Sequence, residues 1–456
     1  MSRIFSFFLF VLALAAEPAD TIWSARYVIT MDAQRRIIEN GAVAIKGDRI
    51  LAVGTKAEID ARFQAKQRLD RPEAILAPGL INTHTHAAMS LFRGIADDLK
   101  LQDWLEKFIF PAEAKNVTAD FVRWGTRLGC LEMLLSGTTT FTDMYYFEDV
   151  VAEAAKEAGM RGVLGETIIG FPVADNKTPA DGLAFTERYL KRFQNDPLIT
   201  AAVAPHALYT NSDETLKACR TLANKYQAPL IIHLSETKKE NDDELAKRHA
   251  TPTRTLDNLG MWNGRSIAAH AVWVDEADLA ILKSRAVGIA HCPSSNMKLA
   301  SGVAPVTRML ALDLAVGLGP DGPAGSNNDF NMFEEMDLAA KLQKVTTMNP
   351  QALPAASALE MATIRGARAL GMAKEIGSLE AGKRADMITV RIDRAHAQPL
   401  YDAVSQIVYA LKGSDVRDVM VNGKPVVRDA RILTLNEAQI LAKAAEYRAK
   451  VSASLK

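Results

Sequence analysis

The first chemical signal in the chain is a pair of histidines, one residue apart, at the end of an apolar run. In Pro78-Gly-Leu-Ile-Asn-Thr-His-Thr-His86, side chains along a strand alternate faces, so His84 and His86 point the same way. Two imidazoles converging on one point is what a metal ion needs. Seven further short apolar runs also end in a titratable residue: Asp143, Glu166, His206, His233, His270, His291 and Asp321. Six of the eight histidines occupy such positions, and only His249 and His396 fall elsewhere. Histidines placed by packing or solubility alone would scatter among helices and loops, so this clustering points to one shared site.

The elements that must position these residues follow from the same runs, near 80–82, 138–142, 162–165, 199–204, 229–232, 266–269, 287–290 and 315–318. Helical patterns lie between most of them, at 121–135, 150–158, 213–226 and 275–284. Eight strands alternating with helices predict a parallel sheet, and eight is the number that closes a (β/α)8 TIM barrel, an α/β fold whose chemistry sits at the C-terminal strand ends. An open doubly wound sheet is the alternative, but no Gly-rich phosphate turn follows the first run. The flanks differ from the middle. Strand-like runs at 21–30, 41–46 and 49–53 are mirrored near the other end by runs at 387–391, 416–421 and 425–428, the last two joined by Asn422-Gly, a strong hairpin signal. Two β-rich flanks predict a small composite β-sandwich domain formed by both chain ends, from residues 17–77 and 376–456, with a terminal helix from 437. The barrel is expected over 78–375.

Composition excludes some partners. The 456 residues carry 54 Lys+Arg and 54 Asp+Glu, so no basic excess argues for nucleic acid or an anionic membrane surface. Residues 1–16 have a short positive start, an apolar stretch and small residues near Ala15 and Ala16, the pattern of a secretory signal peptide and too short for a stable membrane span. A periplasmic or secreted protein is expected if that signal operates, and a cytoplasmic one otherwise. Cys130, Cys219 and Cys292 are odd in number and widely spaced, so no disulfide framework or zinc ribbon is indicated. A homo-oligomer is left open.

Taken together, the strand-end motifs resemble the amidohydrolase superfamily, and within it the 5-methylthioadenosine/S-adenosylhomocysteine deaminases, with triazine chlorohydrolases as relatives. Beyond Pro78–His86, the matching stretches are Trp104-Leu with Pro111-Ala-Glu113, Gly137-Thr-Thr-Thr140, Ala204-Pro-His206 and His233-Leu-Ser-Glu236. His270-Ala-Val, His291-Cys-Pro-Ser-Ser-Asn296, Asp321-Gly-Pro-Ala-Gly-Ser-Asn-Asn328 and Gly382-Lys-Arg-Ala-Asp386 complete the set. The resemblance spans nearly the whole chain after residue 16.

Read from chemistry, His84, His86 and His233 offer three neutral nitrogens and Asp321 an anionic oxygen. Three histidines and a carboxylate leave room for a water on Zn2+, as catalytic sites do; Fe2+ suits the same donors. The superfamily's bridging ligand for a second metal is a modified lysine on the fourth strand, and the fourth run here has no lysine, so one divalent metal is expected. Glu236, three residues past His233, is placed to take a proton from the attacking water and return it to the substrate. His270 and Asp321 would hold the oxygen. The resemblance further implies that His206 binds substrate, that Glu113 holds ribose hydroxyls, and that Trp104 lines the pocket. Ser294 or Asn296 is expected near the substrate, while Asp143 and Glu166 read equally well as partners of site residues or as helix caps.

The implied reaction is hydrolytic release of ammonia from a purine nucleoside by attack of metal-bound hydroxide. Two departures bear on the substrate. Relatives that bind a homocysteine tail use arginines after the third strand, where this chain has Gly165-Glu-Thr-Ile-Ile-Gly-Phe-Pro172, acidic Glu166 and only Lys177 as a weak substitute. That favours a neutral nucleoside. Pro320 stands before Asp321 where the family carries Thr. The alternatives are a related hydrolase of guanine, a pterin or a chlorinated triazine, and a non-catalytic barrel scaffold.

Overall fold

The computed structural model describes residues 16–455. The segment read as a signal peptide therefore lies, apart from Ala16, outside the described residues. Among those described, no helix is long and apolar enough to cross a membrane, and all three cysteines are buried and free.

The eight apolar runs form a closed parallel barrel in sequence order: Leu80–Thr85, Thr138–Tyr145, Arg161–Ile168, Ile199–Pro205, Leu230–Leu234, Ser266–His270, Gly288–His291 and Ala315–Leu318. Each is buried along nearly its full length, as strands covered on both faces must be. The ring closes where the eighth strand meets the first, with Leu318 opposite Asn82. Helices cover the outside. The one over Ala119–Leu135 is capped by the Thr118 hydroxyl, and it approaches the segment after His86 so closely that a Cβ on Gly125 would stand 2.1 Å from the Ala88 carbonyl oxygen.

The two chain ends build one continuous mixed sheet of eight strands. Its centre is the long strand Phe63–Pro78, parallel to Glu17–Ile29 on one side and antiparallel to Met387–Arg391 on the other, which is where the halves from the two ends of the chain join. The Asn422-Gly423 turn has positive φ at both residues, 51° and 76°, the backbone that a tight two-residue hairpin requires. Pro78 leads directly into the first barrel strand. Beneath that junction Arg161, on the third barrel strand, donates two hydrogen bonds to Asp386 at 2.9 and 3.1 Å, with both side chains buried at 4% and 3% exposure.

Candidate active site

The C-terminal mouth of the barrel gathers the strand-end residues. Ligand-capable atoms of His84, His86 and Asp321 lie within 4.8 Å of one another, as do those of His84, His233 and His270. Asp321 Oδ1 is 3.3 Å from Nε2 of both His84 and His86. The rings of His86 and His233 each use Nδ1 on a backbone carbonyl, of Met144 and His206 respectively, at 2.7 Å. A nitrogen facing a carbonyl must carry the hydrogen, which leaves Nε2 of each with its lone pair directed at the centre. His84 is buried; its Nδ1 has no protein partner, and its Nε2 has only Asp321 Oδ1, at 3.3 Å and without good hydrogen-bond geometry. Such an orphaned polar group is costly in a protein interior, and a metal ion resolves it. The residues present fit a divalent cation: three imidazole nitrogens and one carboxylate around one point.

The loops fix these groups. Asp321 adopts φ 64° and is held by its own N–H to the His84 carbonyl at 3.1 Å, by Thr85 Oγ1 donating to its carbonyl at 3.0 Å, and by Ser295 Oγ donating to Oδ2 at 2.7 Å. His270 Nδ1 bonds Asn296 Oδ1 at 3.0 Å, and its Nε2 lies 3.9 Å from Glu236 Oε2. Burial draws His84 down to about 4 despite the Asp321 carboxylate. Burial also opposes charge on His86, but the bond to Asp321 and the charges of Asp321 and Asp143 outweigh it and raise His86 to about 9. Asp321 is itself held well below the carboxylate range, its burial outweighed by the bonds from His84 and His86. Glu236 is raised to about 8 by burial and by the Asp321 charge. Burial raises Glu335, which holds the Ser294 end of the seventh loop, to about 8 as well.

A cavity opens above this centre, with His86, His206, His233, Glu236, His270 and Asp321 on one side and Trp104 and Glu113 on another. Trp104 and Glu113 ride on one helical segment whose two α-turns, Leu101–Trp104 and Phe110–Asn116, flank a π-turn at Leu105–Ile109. Pro111 accounts for the wide turn: it has no N–H and its ring crowds the carbonyl four residues earlier. Trp104 Nε1 donates to the Ala324 carbonyl at 2.8 Å, tying this segment to the loop after Asp321. The Glu113 carboxylate is buried and accepts from Tyr145 OH at 2.7 Å and Tyr146 OH at 3.4 Å. Burial lifts it to about 7, the two hydroxyls and His86 partly offsetting that. Leu105, Phe110 and Tyr209 also line a second, outer cavity, bordered by Gly170 and Phe171 and by the helix Lys238–Arg248. Its cations are Lys239 and Lys247; Lys177 lines neither chamber.

Some strand-end residues serve the frame. Asp143 accepts the Ala87 N–H at 2.7 Å, just past His86, and Glu166 accepts the Glu148 N–H at 3.0 Å at the start of the helix Glu148–Ala158. His291 is buried with both ring nitrogens unpartnered and does not line the cavity. Ser294 is turned toward Glu335. Tyr145, Tyr146 and Ser295 escaped the sequence reading; the tyrosines were marked only by following Asp143 at a strand end, and Ser295 carried no signal apart from its neighbours.

Comparison with known proteins agrees with this geometry. Residues 75–426 match the amidohydrolase family. A protein of Syntrophus aciditrophicus (strain SB), named 5-methylthioadenosine/S-adenosylhomocysteine deaminase 1, is 47% identical over 440 residues, covering 96% of this chain and 99% of that protein. A similarly named deaminase of Syntrophobacter fumaroxidans is 47% identical over 428 residues, covering 94% and 97%. The crystal structure of an adenosine deaminase from Xanthomonas campestris with bound zinc superposes with a TM-score of 0.94 at 38% identity, over 96% of this chain and 100% of that one.

Proposed function

The chain belongs to the amidohydrolase family, and on that premise we propose that it is a metal-dependent deaminase of purine nucleosides of the 5-methylthioadenosine/S-adenosylhomocysteine type. The observation that carries this reading is one cavity holding two unlike ends: a centre of histidines with Asp321 and Glu236, and a buried Glu113 carboxylate beside Trp104. A base with an exocyclic amine suits the first, and the vicinal hydroxyls of a ribose suit the second.

We assign His84, His86, His233 and Asp321 as ligands of one divalent metal, best Zn2+, with Fe2+ as the alternative. When bound, the metal supplies a Lewis acid and a water acidic enough to lose its proton near neutrality. Glu236 Oε2 accepts that proton and returns it to the ring nitrogen next to the carbon that bears the amine; its raised pKa suits both transfers. His270, held by Asn296 and facing Glu236, steadies the oxygen that adds to this carbon. Asp321, with Oδ2 fixed by Ser295, keeps Oδ1 toward the same centre. His206 and Trp104 flank the substrate, and Glu113 orients the ribose. The amine leaves as ammonia. A 5′-substituent extends past Leu105, Phe110 and Tyr209 into the outer chamber. No arginine lines that chamber; its charged residues include Lys239, Lys247 and Asp243.

The test is ammonia release by zinc-loaded protein across 5′-substituted adenosines, guanine, pterins and triazines. Activity on a 5′-thio-adenosine is expected; none on any 5′-substituted adenosine rejects the nucleoside reading. A Glu236→Gln variant that holds metal yet releases ammonia at the parent rate removes the assigned proton carrier.

A further inference from the structure

The loop that carries Glu236 adopts a conformation that needs support. Ser235 has φ 48°, the left-handed region that non-glycine residues occupy at a cost, and both Ser235 and Glu236 are buried. Their backbone N–H groups must therefore find partners inside the protein. The neighbouring loop serves only the carbonyl: Val272 and Trp273 donate their N–H groups to Ser235 O at 3.1 and 3.0 Å.

The N–H groups go to one side chain. Glu240 accepts from Ser235 N at 3.1 Å through Oε1 and from Glu236 N at 2.8 Å through Oε2. Thr237-Lys-Lys-Glu240 has the spacing of a helix capping box, in which the threonine hydroxyl takes the N–H of the glutamate, and the glutamate takes the N–H of the threonine. The first half is made, at 3.3 Å. The second half is redirected: the carboxylate reaches one and two residues further back, off the helix and onto the loop. Only a carboxylate of this length can do so. Glutamine offers one acceptor and would turn its NH2 toward the other amide, and aspartate is one methylene short.

We propose that Glu240 is a positioning residue for the proton transfer: by clamping two successive amides it fixes the direction in which Glu236 presents its carboxylate to His270 and the reacting carbon. The inference rests on the deaminase reading for its kinetic arm alone. Asp278, on the helix Glu276–Ser284, is the control. It is also a buried capping acid, but it accepts from Asp275 N at 3.1 Å and from Thr251 Oγ1 at 2.6 Å, lines neither chamber and does not touch the loop.

The experiment compares Glu240→Gln, Glu240→Ala and Asp278→Asn in the zinc-loaded full chain, by steady-state kinetics, zinc content and amide hydrogen exchange of the segment 233–238. A misaligned proton carrier costs on the order of tenfold to a hundredfold. The expected result is kcat lower by about tenfold in Glu240→Gln and about a hundredfold in Glu240→Ala, with KM within about threefold of the parent. Zinc content should be unchanged, and exchange should quicken in the Glu240 variants only. A Glu240→Gln protein with parental kcat, or with slow exchange at Ser235 and Glu236, overturns the proposal, as does an equal loss of kcat in Asp278→Asn. Because exchange is read without substrate, a parent protein that deaminates nothing rejects the deaminase reading, while loop protection still decides the clamp. If Glu240→Ala does not fold, Glu240→Gln against Asp278→Asn decides alone.

Discussion

Replacing Glu113 by glutamine isolates the recognition of the sugar from the chemistry at the base. In the structure each Glu113 oxygen already accepts one tyrosine hydroxyl, at 2.7 and 3.4 Å, and each retains a second lone pair that can face a ribose hydroxyl. Glutamine keeps one acceptor and loses the charge, so one charge-assisted hydrogen bond to the diol disappears. Such bonds are worth about 1.5–3 kcal/mol, which at 1.36 kcal/mol per tenfold predicts a fall in kcat/KM of roughly tenfold to 150-fold on a 5′-thio-adenosine. On the matched 2′,3′-dideoxy substrate the hydroxyls are absent, and the variant should differ from the parent by less than about threefold. The pH dependence gives a second reading. Burial puts the Glu113 carboxyl at about 7, and only its ionised form accepts from both hydroxyls. KM for the diol substrate should therefore rise as pH falls through about 7 in the parent, and this slope should vanish in the variant. Ammonia release measured on both substrates from pH 6 to 8 completes the cycle. An equal loss on the two substrates would show that Glu113 shapes the cavity without contacting the sugar, and would refute the reasoning.

Metal-free protein should lose stability as pH rises from about 6.5 to about 8. Glu236, Glu240 and Glu335 at about 8 and His86 at about 9 all bind more protons folded than unfolded across that window. His84 and His206, drawn down by burial to about 4 and 3, act in the opposite sense but only below 6.5. Zinc needs its ligands deprotonated, so the gain in Tm on adding it should grow over the same window; a gain that is flat with pH contradicts the ligand assignment. Asp386→Ala strands the buried Arg161 guanidinium and should cost about 3–5 kcal/mol in urea unfolding. A loss under about 1 kcal/mol would mean that water reaches the pair.

The barrel was legible because each strand announces itself twice, by an apolar run and by the titratable residue that ends it. Residues 213–226 were even bounded correctly as the helix Asp213–Tyr226. The strand Phe63–Pro78 was not seen as one element. Its sequence alternates charges, includes Pro72, and becomes wholly apolar only in its last residues, so its strand character comes from neighbours on both edges, which local pattern does not record. The site divides in the same way. His84, His86, His233, His270 and Asp321 converge because topology brings strand ends together, and counting strands was enough to foresee that. The frame around them was less accessible. Tyr145, Tyr146 and Ser295 each bond through one hydroxyl, and Glu240 through its two carboxylate oxygens, across loops. Glu240 in particular reads in sequence as an ordinary capping glutamate, since its redirection depends on the left-handed turn at Ser235.

The closure of the barrel sets an order of events during synthesis. His84 and His86 lie on the first strand and Asp321 just past the eighth, so the donors that meet across the seam are among the earliest and the latest parts of the barrel to be made. From His86 to Asp321 is 235 residues, on the order of tens of seconds of translation at typical rates. His233 arrives between them. Through that interval the proposed set of donors is incomplete. On the proposed ligand set, the last donor and the last strand emerge together, so the complete site cannot exist before the barrel can close.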